Sequence, residues 1–297
     1  MHIFVTGAAG FIGGSVALGM VRAGHQVSGL VRNPEQAEAL AKLGITPVIG
    51  ELEQAELLIA QARAADAVIN AASSDHAGAI SALIEGLRDS GKVLLHTSGS
   101  SIVGDASGGQ ASERIFYEDA LPEPTADKAA RVALDHSVLA AAQQGIRSAV
   151  LCNTLIYGDG LALPRDSVQL PRLIRQARHS GVVRHVGPGL NIWSNVHIAD
   201  VVEAYQLALE KTPAGMFYFI ENGETAFRDI SAAIAKALKL GPAQDWSPEE
   251  AIAEWGYEMA SYALGSNSRV RGTRARTLLG WTPQHTSVLD WIAAEVH

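Results

Sequence analysis

Three glycines near the beginning of the chain have the spacing of a phosphate-binding turn. Gly7, Gly10 and Gly13 follow an apolar run at residues 3–5 and lead into residues 11–22, whose apolar positions repeat at helical spacing. Glycine permits a tight turn and a close approach of the backbone to a pyrophosphate, and the amides at a helix N-terminus face its negative charge. The sequence therefore predicts a dinucleotide site formed by this turn, with contacts from Gly7, Ala9, Gly10, Phe11, Ile12 and Gly13.

The choice between the two nicotinamide dinucleotides is expected to depend on the end of the second predicted strand, residues 26–31. An NAD site usually has a carboxylate there, about 20 residues after the glycines, to bind the ribose 2′-hydroxyl. Here Val31 is followed by Arg32, so the carboxylate is missing and a guanidinium is available for a 2′-phosphate. The sequence favours NADP(H) over NAD(H). The alternative is a solvated arginine at a strand end.

The elements that must position these residues alternate regularly between strand and helix over the first half of the chain. Such alternation predicts an α/β fold, a doubly wound parallel sheet of the Rossmann type. We expect residues 1–160 to form the dinucleotide-binding core, with 192–220 returning to it, and 161–191 with 221–297 to form a smaller substrate-binding lobe. In that second part the pattern predicts a helix over 163–179 and an antiparallel pair of strands at 182–186 and 192–196.

Composition narrows the function classes. The 297 residues carry a net charge of −8, which repels nucleic acid. One cysteine, Cys152, excludes an intrachain disulfide and a cysteine-ligated metal, and no metal site is predicted. No apolar run is long enough to cross a bilayer, and the first predicted strand leaves no room for a signal peptide. We therefore expect a cytoplasmic protein whose partner is a small-molecule substrate, not a membrane or a nucleic acid.

The order of further motifs resembles that of the extended and atypical short-chain dehydrogenases/reductases, the NAD(P)-dependent epimerase/dehydratase-like group. The glycine turn, preceded by Thr6, is similar to the TGxxGxxG loop of these enzymes. The resemblance extends to Gly-Glu-Leu at 50–52, Asn-Ala-Ala at 70–72, Ile-Tyr-Gly at 156–158, the segment 196–202 and Leu-Gly-Trp-Thr-Pro at 279–283. It therefore covers nearly the whole chain, and it implies the Rossmann fold and a possible homodimer.

The resemblance also implies cofactor contacts. The carboxylate of Glu51, beside Leu52, would reach the adenine amino group, and Ala71 and Ala72 would line the cofactor. Each has a structural alternative: Glu51 could complement a helix dipole, and the alanines could be plain core.

Catalytic residues are implied only in part, because the Tyr-x-x-x-Lys of the family is absent. Lys128 with Pro124 in place of tyrosine fits one register, and Arg131 with Asp127 fits the other. In the second register Arg131 would hold the nicotinamide ribose. The Ser or Thr that follows strand five in the family aligns with a glycine here, so Ser98 and Ser100 are the candidates, Ser98 also as a cofactor contact. Tyr157 and Tyr117 are the nearest phenols that could act as the acid. Tyr117 lies too far upstream to fill the motif directly, so Tyr157 is the candidate, with a packing role as the alternative.

We therefore expect an NADP(H)-dependent oxidoreductase acting on a carbonyl or hydroxyl group of a small organic substrate. Two other hypotheses stay open. One is a non-catalytic NADP(H) sensor, and the other is an epimerase or isomerase that uses a bound cofactor.

Overall fold

The computed structural model describes residues 1–297 and is built around a sheet of seven parallel strands. In chain order, and labelled β1 to β7, the strands are His2–Thr6, Gln26–Val31, Ile45–Ile49, Ala67–Asn70, Val93–Gly99, Arg147–Asn153 and Met216–Ile220. Their spatial order is 3-2-1-4-5-6-7. The predicted fold class, a doubly wound Rossmann sheet, is confirmed, because the order reverses next to β1 and places its carboxyl end at the crevice where such sheets bind ligands.

Helices cover both faces of the sheet and bury its apolar side chains in two clusters. One face is covered by Phe11–Arg22, Pro34–Lys42 and Ile198–Lys211. The other is covered by Ala55–Ala64, Ala77–Leu87 and Ala129–Ala140. Burial on both faces explains why strands such as β1 and β4 contain no polar face.

The remaining segments form a third apolar cluster beside the carboxyl edge of the sheet. Its helices are Leu170–Ser180, Phe227–Ala237, Pro248–Trp255 and Val288–Glu295, with a π-helical turn at Met259–Leu264. A second π-helical turn, Ala275–Leu279, packs in the first cluster, on the sheet. Short 3₁₀ helices lie at Ser100–Val103 and Ala141–Gln144. The predicted helix at 163–179 begins only at Leu170. Pro164 lies before it, outside the helix. Pro171 lies in the first helical turn, where a missing N–H is tolerated.

The predicted antiparallel pair at 182–186 and 192–196 is wrong. Arg184–Val186 pairs in parallel with Gln244–Trp246, and Ile192–His197 pairs in parallel with Leu155–Tyr157 and antiparallel with Glu224–Ala226. The Gly-Pro-Gly sequence between the two strands resembles a hairpin turn, but each strand has a partner distant in the sequence. A two-residue pair, Phe116–Tyr117 with Val270–Arg271, joins the same region to the core.

The expected domain division stays a prediction. Of residues 192–220, the strand Met216–Ile220 lies in the main sheet and the helix Ile198–Lys211 packs against it, whereas Ile192–His197 belongs to the small three-stranded sheet. None of the helices has both the length and the apolar character needed to span a bilayer. The cytoplasmic location and the homodimer remain predictions as well.

Candidate functional site

The glycine turn after β1 has the shape that the sequence analysis predicted. Gly7 has φ of +69°, a conformation that L side chains rarely adopt, and a Cβ there would lie 2.6 Å from the carbonyl oxygen of Ala71. A Cβ on Gly13 would collide with the Gly7 carbonyl. Gly10 differs, because its extended φ of −90° suits any residue. The only atom within 4 Å of a Cβ at this position would be the Gly7 carbonyl oxygen, at 3.2 Å. The turn therefore needs two glycines for its fold, and Gly10 for the space above it.

That space is a cavity of about 540 Å³ at the carboxyl ends of β1, β2, β3 and β4. Eight of the predicted cofactor residues line it: Gly7, Ala9, Gly10, Arg32, Glu51, Leu52, Ala71 and Ala72. Residues that the prediction did not include also contribute, namely Leu30, Val31, Gln36, Gly50 and Glu53. A glycine turn beside apolar and polar walls fits a dinucleotide, with the helix N-terminus at residues 10–11 facing its phosphates.

Five of the predicted cofactor residues do not line this cavity. Phe11 and Ile12 pack partly buried against the core cluster, and Gly13 lies beneath the turn. Ser98 and Arg131 are positioned further along the carboxyl edge, by β5 and by the helix Ala129–Ala140. The structure thus brings the turn together with the ends of β2, β3 and β4. Phe11, Ile12 and Gly13 adjoin the turn without lining the cavity, whereas Ser98 and Arg131 lie apart from it.

Arg32 has a free guanidinium. It makes neither a side-chain hydrogen bond nor an ion pair, and only its backbone N–H is engaged, donating to Oε1 of Gln36 at 3.2 Å. Glu53 is exposed, and its pKa is lowered first by a backbone hydrogen bond, then by His76, and last by the charge of Arg32. An unpaired guanidinium in the wall of the cavity can donate two parallel hydrogen bonds to one phosphate group.

The two candidate serines are both buried in internal hydrogen bonds. Ser98 is 3% exposed and donates to Oδ2 of Asp135 at 2.8 Å. Ser100 is 1% exposed, and its hydroxyl and its carbonyl accept from the Ser268 hydroxyl, each at 2.8 Å. Gly99, between them, has extended backbone, and no atom lies within 4 Å of the place that a Cβ would occupy there. A catalytic role for the two serines stays a prediction, and the structure leaves open space at the residue between them.

Arg131 connects the loops that follow β4 and β5. Its guanidinium binds Asp75 with two contacts, Nε to Oδ1 at 2.8 Å and Nη2 to Oδ2 at 2.6 Å, and Nη1 donates to the Ser101 hydroxyl at 3.1 Å. The hydrogen bond from Arg131 lowers the pKa of Asp75, so the carboxylate is charged. Asp75 and Ser101 were absent from the predicted site, although Ser101 lies in the same serine-rich run as Ser98.

The other register, with Lys128 in the lysine position, gives that lysine partners in the smaller region. Lys128 contacts Glu258 and the ring of Tyr262, both from the smaller region, and not the loops after β4 and β5. Of the two registers, only that of Arg131 brings a cation to the loops after β4 and β5.

Beneath the site lies a row of buried polar groups, with Thr6 at the end of β1, Asn70 at the end of β4 and His96 within β5. Thr6 donates to Oδ1 of Asn70, and Nδ2 of Asn70 donates to Nδ1 of His96 at 2.9 Å. Because Nδ1 of His96 is an acceptor here, Nε2 carries the proton of the neutral ring and faces Oδ1 of Asp135 at 3.5 Å. The row fixes the ends of β1, β4 and β5 relative to one another.

Burial shifts the pKa values of the two titratable members in opposite directions. It raises the pKa of Asp135 from 3.8 to about 7 and lowers that of His96 from 6.5 to about 4. The stabilising contribution of Asp135 is therefore present below pH 4 and is lost as the pH rises through about 7. The contribution of His96 is present above pH 6.5 and is lost as the pH falls through about 4.

Between pH 4 and 7 the contributions of Asp135 and His96 to stability change in opposite directions, and replacing Asp135 by Asn should remove one of the two. We expect Asp135→Asn to gain stability relative to the wild type as the pH rises from 4 to 7, by on the order of 1 kcal/mol per pH unit. Urea denaturation of both proteins across this range measures the difference. A difference that does not vary with pH would contradict the assignment.

Tyr157, the third catalytic candidate, lies away from the cavity. It is 1% exposed, donates to the His285 carbonyl at 3.3 Å, and packs edge-on against the His197 ring. Burial raises its pKa further above the ordinary value of a phenol. These contacts connect the small sheet to the loop at His285, and Tyr157 is not among the residues that line the cavity.

Comparison with known proteins places the chain in a family. The model of the NAD dependent epimerase/dehydratase family matches residues 3–220. Protein C2A9.02 of Schizosaccharomyces pombe is 32% identical, with both chains covered completely. The 2-alkyl-3-oxoalkanoate reductase of Stenotrophomonas maltophilia is 30% identical over 75% of this chain and 71% of its own.

Among solved structures, the dTDP-glucose 4,6-dehydratase DesIV of Streptomyces venezuelae, with NAD and TYD bound, superimposes with a TM-score of 0.79. It covers 100% of this chain and 96% of its own, at 20% identity, which shows a common fold. The curated relatives include enzymes that reduce ketones. With the family model matching more than half of its length and the dinucleotide cavity in the expected place, this chain belongs to the NAD dependent epimerase/dehydratase family.

Proposed function

We propose that the protein is an NADP(H)-dependent oxidoreductase that reduces the carbonyl group of a small organic substrate. The observation that carries the cofactor preference is the free guanidinium of Arg32 in the wall of the dinucleotide cavity, at the place where NAD sites have a carboxylate. The observation that carries the reaction class is the resemblance to relatives whose names describe ketone reduction.

The residues of this chain would divide the work along the carboxyl edge of the sheet. The turn at Gly7 and Gly10 would hold the pyrophosphate, and Glu51 with Leu52 would contact the adenine. When bound, the cofactor supplies the hydride for the carbonyl carbon. Arg131 and the Ser101 hydroxyl would donate hydrogen bonds to the oxygen on which negative charge develops.

This arrangement does not need the missing tyrosine to polarise the carbonyl group. A guanidinium is a permanent donor, and Gly99 leaves room beside Ser101 for a substrate oxygen. The proton that completes the alcohol would come through the Ser101 hydroxyl or from water, because a guanidinium does not release one at neutral pH. Asp75 would hold the Arg131 guanidinium in place and would leave some of its N–H groups free to donate to the substrate.

Arg32 provides the test of the cofactor preference. We expect Arg32→Ala to weaken NADPH binding by about tenfold to a hundredfold, since a charge-assisted contact with the 2′-phosphate is lost. NADH, which has no such phosphate, should bind with nearly unchanged affinity. Titration calorimetry with both cofactors measures this. Equal losses for both, or a wild-type preference for NADH, would overturn the preference for NADP(H).

A further inference from the structure

Lys128 is a buried cation whose partners are exposed anions. Its side chain is 4% exposed, and Nζ lies 3.3 Å from Oε1 of Glu258 and 3.2 Å from Oδ2 of Asp127. The Glu258 side chain is 79% exposed and that of Asp127 is 35% exposed. Lysine is rarely this buried without a partner. Here the ammonium is fixed, whereas Glu258 can move into solvent.

The position of Lys128 relates it to the proposed reaction site. It directly precedes the helix Ala129–Ala140, and Arg131 follows three residues later, a spacing that places both on one side of the first helical turn. Three residues rise by about 4.5 Å along a helix. The backbones of the two residues therefore lie within about one turn of each other. The Arg131 hydrogen bond, and after it the charge of Lys128, lower the pKa of Asp75, the carboxylate that Arg131 binds.

Two tyrosine rings from the smaller region lie beside the Lys128 ammonium or pack against each other next to it. The ring of Tyr262 lies 4.8 Å from Nζ of Lys128, and the ring of Tyr257 packs edge-on against it with 5.8 Å between the centroids. Tyr257 is 62% exposed. An ammonium at the junction of core and smaller region, with aromatic rings beside it, has the composition of a subsite for an anionic group attached to an apolar body.

We propose that Lys128 binds a carboxylate of the carbonyl substrate and that Glu258 holds this place until the substrate displaces it. This inference rests on the reductase function proposed above and adds the substrate class, a carbonyl compound that carries a carboxylate. The exchange keeps the charge balance, because one carboxylate replaces another on the same ammonium. Glu258 loses little on leaving, because its own carboxylate is already 79% exposed and the substrate carboxylate takes over the pairing with the buried ammonium.

A matched pair of aldehydes tests the proposal. The full chain, saturated with NADP⁺ so that no turnover occurs, is titrated calorimetrically with 4-formylbenzoate and with its neutral analogue 4-formylbenzamide. We expect the wild type to bind the benzoate at least about tenfold more tightly. Lys128→Met should abolish this preference. Glu258→Gln should tighten benzoate binding severalfold and leave benzamide binding unchanged.

Other results would overturn the anion site. These are equal affinity of the wild type for both aldehydes or no measurable binding of either, equal weakening of both in Lys128→Met, or weaker benzoate binding in Glu258→Gln. Equal weakening would show that Lys128 only fastens the smaller region to the core. Should Lys128→Met not fold, the exposed Glu258→Gln variant decides alone.

The same samples separate this proposal from the reductase function. With NADPH in place of NADP⁺, oxidation of the cofactor by either aldehyde is followed at the absorbance of the reduced nicotinamide. A preference for benzoate that depends on Lys128, without oxidation of NADPH, would support the anion site and contradict the reductase. Reduction of both aldehydes with equal affinity would support the reductase and contradict the anion site.

Discussion

Gly10→Val should lose cofactor binding by at least about a hundredfold while the protein still folds. A branched side chain at residue 10 would point into the space where the turn receives the pyrophosphate. The fold should tolerate it, because φ at Gly10 is −90° and the only close atom, the Gly7 oxygen, is 3.2 Å from a Cβ. A hundredfold change corresponds to about 2.7 kcal/mol of binding free energy. Calorimetry with NADPH and a thermal melt measure the two effects.

Gly13→Ala is the matched control for this variant. Its Cβ would collide with the backbone carbonyl of Gly7, and neither backbone can move freely. We expect it to destabilise the fold by about 1–3 kcal/mol, as overpacking typically does. Wild-type cofactor affinity in Gly10→Val would refute the proposed position of the pyrophosphate. A large loss of stability in that variant would leave the binding result to the smaller Gly10→Ala substitution.

Arg131→Met should lower kcat/KM for carbonyl reduction by about a hundredfold to a thousandfold. This is the effect of removing one donor that stabilises a developing oxyanion. Methionine keeps most of the apolar stem, and the ion pair with the half-exposed Asp75 should contribute about 1 kcal/mol or less to stability. The melting temperature should therefore change little. Steady-state rates with NADPH and 4-formylbenzoate give the measurement.

Asp75→Asn is the control for the ion pair alone. Asparagine can still accept a hydrogen bond from Arg131, so the guanidinium should remain oriented and the rate should fall by less than about tenfold. If Arg131→Met retains the wild-type kcat/KM, another group polarises the carbonyl. If both variants lose the same large factor, the pair acts through the position of the loops and not through the guanidinium.

Much of the fold was accessible from the sequence because its signals are local. The apolar strands, the glycine turn and the helix spacing each depend on residues within a few positions of one another. The same is true of eight of the cavity residues, which directly follow the ends of β1, β2, β3 and β4. Parallel strands place these ends at one edge of the sheet. The order of the motifs was therefore enough to predict that Arg32 and Glu51 lie near the turn.

The rest of the site depends on contacts that the sequence does not encode locally. Asp75 and Arg131 are 56 residues apart and meet because the helix Ala129–Ala140 packs beside the loop after β4. The serines alternate along β5 and its continuation, and burial of Ser98 against Asp135 was not apparent from a polar run. The strands at 184–186 and 192–197 likewise pair with strands that are tens of residues away in the sequence.

Transfer of deuterium from the cofactor tests the central claim most directly. The wild-type protein is incubated with NADPH deuterated at either face of C4 of the nicotinamide and with 4-formylbenzoate, and the alcohol is analysed by mass spectrometry. We expect deuterium on the carbinol carbon from one of the two labelled cofactors and not from the other. Tight binding of NADPH with no deuterium in the alcohol from either cofactor would contradict a reductase and favour a non-catalytic NADP(H) sensor.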